Sequence, residues 1–141
     1  MRREASFRSS AFNTSQVRDY FVNDCCFGDD LAKWLIGRLR SAGVETDEEP
    51  GQEDFGWYFE FRVPAGKHCC ILGYQEDEPE GLWHLWLERS RGLVGSLLGR
   101  RAHGIDEAAL RAINDALASA PEIRDFEWAT SNASAGGPTT R

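Results

Sequence analysis

The sequence predicts an α+β domain of two layers, an antiparallel sheet of about five strands with two amphipathic helices packed on one face, in the order β-α-β-β-β-α-β. Three observations carry this. Two segments repeat apolar residues at helical spacing. One segment alternates aromatic and polar residues with period two. Around it, three strand-like runs are joined by short turns, which suits an antiparallel meander.

Taken in order, residues 4–12 (EASFRSSAF) alternate weakly and read as a short first strand at an edge. Residues 13–28 have no clean period and read as a loop leading into a helix. Residues 29–43 form the clearest helix, because Leu31, Leu35 and Leu39 recur at i, i+4 and i+8. Asp29 or Asp30 suits the free amides of its first turn, Arg38 and Arg40 suit its C-terminal dipole, and Gly43 suits the left-handed closing position. Residues 44–49 are a charged edge strand or the start of an acidic loop, and 50–52 are a turn.

Residues 54–63 (DFGWYFEFRV) are a strand. Phe55, Trp57, Phe59, Phe61 and Val63 share one face, and Gly56, Tyr58, Glu60 and Arg62 share the other. After the turn 64–67 comes a strand at 68–74 with two apolar faces, which suits a central position. An acidic turn at 75–81 leads to a strand at 82–90, with Trp83, Leu85 and Leu87 opposite Leu82, His84, Trp86 and Glu88. Residues 91–104 are rich in glycine and arginine. A second helix at 105–120 carries Leu110, Ile113 and Leu117, is opened by Asp106 and Glu107, and is ended by Pro121. Residues 124–130 are a last strand. Residues 1–130 form one domain, and 131–141 are a small-residue tail expected to be disordered.

Helix 31–44 (LAKWLIGRLRSAGV), strand 53–61 (EDFGWYFEF), strand 82–88 (LWHLWLE) and the closing 123–128 (IRDFEW) together resemble a small bacterial family of uncharacterised proteins. The resemblance covers roughly residues 20–130. Relatives in that family favour Trp where Phe55 stands. It implies the fold and transfers no activity and no catalytic residue.

Charge bounds the function. The chain has 141 residues with a net charge of −7, which argues against a general nucleic-acid binder. The N-terminus lacks the apolar core of a secretory signal, and the apolar runs fall far short of the roughly 20 residues that span a bilayer. A cytoplasmic protein with no membrane role and reduced cysteines is expected.

Chemistry-bearing motifs are weak. Cys25–Cys26 and Cys69–Cys70 are adjacent pairs, and neighbours on a strand face opposite ways, so neither pair suits one metal ion. A composite site with His68 or His84 is conceivable, but no metal is expected. GLVGSLLGRR (92–101) misses the phosphate-loop and nucleophile-elbow patterns, so no cofactor is expected either. His68 and His84 fall on neighbouring strands, where they could face each other.

Two surfaces remain. Glu53 and Asp54 precede one strand, while Glu76, Asp77, Glu78 and Glu80 follow the next; a meander gathers them at one end of the sheet as an acidic docking edge for a basic protein. The outward sheet face carries Tyr58, Arg62, His84, Trp86 and Glu88, with Tyr74 as a further aromatic candidate. The favoured reading is a non-enzymatic interaction module, immunity- or inhibitor-like by analogy. The alternative is a small enzyme or ligand-binding protein using His84, Glu88, Tyr58 and Arg62.

Overall fold

A computed structural model describes residues 2–12, 27–53, 56–75, 82–90 and 105–129. The elements are β1 (Arg2–Arg8), α1 (Asp29–Ser41), β2 (Glu45–Thr46), β3 (Gly51–Glu53), β4 (Gly56–Val63), β5 (Gly66–Gln75), β6 (Leu82–Arg89), α2 (Glu107–Ala118) and β7 (Arg124–Trp128). Every pairing is antiparallel, and the sheet runs β2-β4-β5-β6-β1-β7 with β3 also on β4.

The α+β class and the antiparallel sheet hold. The strand count and order differ: seven strands among the described residues, not about five. The two extra strands, β2 and β3, are short pieces on the free edge of β4. Residues 50–52, expected to be a turn, instead contribute Gly51 and Gln52 to β3. The first strand is not an edge. It lies between β6 and β7, because the chain returns after α2 to add β7 on its far side.

Alternation decides which face is dry. Trp57, Phe59 and Phe61 of β4 are buried, as are Cys70 and Leu72 of β5, Trp83, Leu85 and Leu87 of β6, and Ala5 and Phe7 of β1. Leu31, Leu35 and Leu39 of α1 and Ile113 and Leu117 of α2 join the same cluster, so both helices cover this one face. Large residues oppose smaller ones across the ladder: Phe59 faces Cys70, and Leu85 faces Ala5. Such interdigitation is how a core reaches crystal-like density.

Gly28 is the N-cap of α1, while the first-turn amide of Leu31 donates to Asp30 Oδ1 (2.9 Å), as the sequence suggested for this pair of aspartates. A side chain at Gly28 would lie 3.2 Å from Trp57 Cδ1 and 3.5 Å from Trp83 Cζ3, so glycine lets both indoles close on the helix start. At the other end Gly43 has φ 88°, the Val44 amide donates to Leu39 O (2.9 Å) and the Gly43 amide to Arg40 O (3.0 Å). That is the Schellman closure that a glycine in this place foretells.

Arg38 ties the helices together. Its Nε donates to Ala116 O (3.0 Å) and its Nη2 to Ser119 Oγ (2.9 Å), while its guanidinium lies over the Trp34 ring. Ala116 O belongs to the last turn of α2, whose carbonyls have no partner within the helix. Arg38 thus caps one helix from the other. Arg38→Ala is expected to cost about 1–3 kcal/mol in denaturant unfolding, with Arg38→Lys recovering little, because a lysine cannot span both acceptors.

Gly56 opens β4 directly against the Leu72 carbonyl, where an added Cβ would collide with backbone. Gly56→Ala is expected to destabilise the domain by about 3 kcal/mol, read as a lowered denaturation midpoint at unchanged slope.

Candidate functional site

The face opposite the helices is where exposed chemistry gathers. Register sets its rows. Tyr58, Ile71, Trp86 and Glu4 lie side by side across β4, β5, β6 and β1. Glu60, Cys69 and Glu88 form the next row, and Arg62 and Lys67 the one beyond. Among the described residues, no helix covers these rows. Tyr58, Ile71 and Trp86 are half-buried, an apolar bar flanked by charged side chains.

Tyr58 has a structural duty as well. Its ring occupies the space above Gly51 of β3, where a side chain would come within 2.6 Å of Cζ. An aromatic laid over a glycine on the neighbouring strand shields that backbone. His84 stacks on Trp86, with centroids 5.9 Å apart and an interplanar angle of 24°. Its Nε2 is 2.9 Å from Gln75 Oε1, within hydrogen-bond distance of the side-chain amide. Burial lowers the His84 pKa, against the opposing pull of Glu4.

At the corner of this face Glu60 is held on both oxygens. Lys67 Nζ lies 3.4 Å from Oε1, and Ser90 Oγ donates to Oε2 (2.9 Å). Asp47 completes the corner: its carboxylate accepts the Glu60 amide (2.9 Å) and its own amide donates to Glu60 O (3.0 Å). Arg62 pairs only loosely with Glu45 (3.8 Å), and both are well exposed, so the pair adds little stability.

These positions bear on the expected site. Tyr58 and Trp86 share one row, separated by Ile71 at about 9.5 Å. His84 and Glu88 project from one strand four residues apart, about 13 Å. Arg62 lies equally far along β4 from Tyr58. The spacing keeps Glu88 far from His84, whose hydrogen-bond partner is the Gln75 amide, while Glu4 of the neighbouring strand acts on it through charge. Tyr74 is on the other face, 4.8 Å from Trp83 in the core. The acidic edge of Asp54, Glu76, Asp77, Glu78 and Glu80 lies outside the described residues, as do Cys25, Cys26 and segment 91–104; the Glu53 backbone pairs with Gly56. Arg89 lies beside the 64–67 turn, donating to Ala65 O at 2.6 Å.

The two histidines do not face each other. His84 points outward, whereas His68 is fully buried on the helix side, opposite Arg89 in register. Its Nδ1 lies 3.2 Å from Gly66 O, and its Nε2 accepts the Asp106 amide at 3.1 Å. The 68–74 run is apolar on both faces, so its sequence carries no signal for which side is dry. No group of three or more His, Cys, Asp or Glu residues could hold a metal ion among the described residues.

A groove of about 410 Å³ opens between α1 and α2, lined by Leu39, Val44, Ala112 and Ala116 with Arg38 and Arg111 at its rim. Arg38 is committed to Ala116 and Ser119, and Arg111 approaches Glu107 at 4.0 Å. No helix among the described residues is long and apolar enough to cross a membrane. No family model, curated protein or solved structure matches the chain.

Adjacent cysteines report the two faces. Cys69 is half-exposed on the outward side, while Cys70 is fully buried, and burial, then the neighbouring Cys69, pushes its thiol pKa well up. With Cys25 and Cys26 replaced by serine, a small thiol reagent is expected to modify Cys69 in the native protein and Cys70 only at the rate of unfolding. Native-state labelling of both at one rate would contradict this core.

Proposed function

We propose that this chain is a non-enzymatic protein-interaction module that docks a basic protein, in the manner of an immunity or inhibitor protein. The observation that carries the reading is the half-buried bar of Tyr58, Ile71 and Trp86 on a sheet face with no helix over it among the described residues. Apolar residues of this kind with a charged rim mark interaction surfaces. Carboxylates from Glu4, Glu60 and Glu88 border the bar, and the net charge of −7 favours a partner of opposite sign.

Within this reading Glu53, Asp54, Glu76, Asp77, Glu78 and Glu80 steer the encounter, and Tyr58, Trp86 and His84 supply the contact. Charged rims raise association rates, whereas buried aromatics hold the complex. The alternative of an enzyme using His84, Glu88, Tyr58 and Arg62 draws no support from the spacing of those groups.

The test is a pull-down with the full chain as bait. A partner with a basic surface is expected. Trp86→Ala is expected to weaken it roughly 30-fold, the effect of losing about 2 kcal/mol at a contact centre. Changing Glu76, Asp77, Glu78 and Glu80 to Lys is expected to slow association and flatten its salt dependence. If both baits stay folded by circular dichroism and retain every partner unchanged, the reading fails.

A further inference from the structure

Among the described residues, His68 is the one fully buried titratable group on the helix side other than a thiol or Asp29, and its hydrogen bonds specify its state. A backbone N–H can only donate, so the Asp106 amide requires an unprotonated Nε2. A carbonyl can only accept, so Gly66 O requires the proton on Nδ1. The ring is therefore the neutral Nδ1–H tautomer, with both nitrogens used.

Asp106 is the N-cap of α2. Its carboxylate accepts the Ala108 amide (2.9 Å), and its own amide goes to His68. The start of the helix is thus pinned to β5 by one imidazole nitrogen. We propose that His68 is a proton-sensitive latch on α2: its neutral ring holds the first turn of the helix against the sheet, and protonation releases that turn while the rest of the domain stays folded.

The chemistry follows from donor count. An imidazolium carries N–H at both nitrogens, so Nε2–H would confront the Asp106 N–H, donor against donor, at a site closed to water. The groups around the ring do not offset this. From β4 the neighbour is the Phe61 ring at 5.9 Å, which is uncharged. From β6 it is Arg89, whose positive charge repels a second one. From the turn into α2 it is Asp106, the one favourable charge among the described residues, already engaged by Ala108. Glu60, Arg62 and Lys67 project from the opposite face by alternation, and Glu107 is exposed.

Burial accordingly lowers the His68 pKa, with the Gly66 bond and Asp106 opposing and Arg89 adding. For a base with a depressed folded pKa, the latch contributes fully above the ordinary histidine value of about 6.5. It is lost as pH falls from there through the folded value, because the opened state binds the extra proton. Opening stays local because the far end of α2 is held by buried Ile113 and Leu117 and by the Arg38 clamp on Ala116 and Ser119.

Nitrogen NMR and amide exchange on the full chain, from pH 8 to 4.5, test this. The Nδ1–H tautomer of His68 is expected at pH 7.5. Below about 6.5 the protection factors of the Asp106 and Leu110 amides, corrected for intrinsic exchange, are expected to fall by up to tenfold per pH unit. Those of Leu117 and of β5 should hold. His68→Gln can accept from Asp106 and donate to Gly66 without titrating, so its α2 profile should be flat; His84→Gln should behave as wild type. Protection that is pH-independent in the wild type, that falls together with the whole domain, or that falls equally in His68→Gln overturns the latch. If His68→Gln does not fold, the wild-type titration decides alone: His68 and the Asp106 amide must titrate together.

Discussion

Trp57, Phe59 and Phe61 place three aromatic side chains on one side of β4, and that side has to be dry. Each ring removes a large apolar surface from water, so truncating any of them forfeits about 3–5 kcal/mol. Neither helix could bury its leucine stripe without such a partner. The rest of the arrangement answers this need. β5 and β6 extend the dry face with Leu72, Leu85 and Leu87, α1 covers it, and α2 lies alongside with its last turn clamped by Arg38. The two edges are blunted by short strands. β7 is charged and carries a register shift against β1, with Asp125 at φ 56°, features that discourage pairing with another chain.

The same period of two sorts the reactive side chains. Cys70 and His68 go inward, and Cys69 and His84 go outward, although each pair comes from the same few strands. On the outside, His84 meets Gln75 and Trp86. On the inside, His68 is surrounded by an aromatic ring, a guanidinium and a helix start, and its protonation state becomes part of the fold. Identical side chains thus acquire different chemistry from one backbone rule.

Much of the architecture was legible. The meander of β4, β5 and β6 and both helices followed from period and from the turns between them: β4 and the helices each have one polar and one apolar side, and β5 is an apolar run bounded by turn residues. Gly43 announced the end of α1 for the same local reason, a left-handed position that glycine fills without strain. What escaped was non-local. Gly51 and Gln52 have turn-like sequence, yet they pair with β4 because Tyr58 folds over Gly51 and covers it. The weakly alternating first strand looked peripheral, and only the return of the chain after α2 makes it internal. The part His68 plays at the start of α2 was invisible, since it depends on Asp106, 38 residues away.

Hydrophobic period and turn chemistry are properties of neighbouring residues, so the chain by itself determined which segments are helix or strand, which face of β4 is core, and that the protein is acidic. Strand order, the edge pieces on β4, the clamp from Arg38 and the state of His68 were decided only in three dimensions. Each joins residues far apart in sequence through a hydrogen bond or a packed ring. The strength of such a contact depends on the water excluded around it, and that exclusion exists only once the layers have closed.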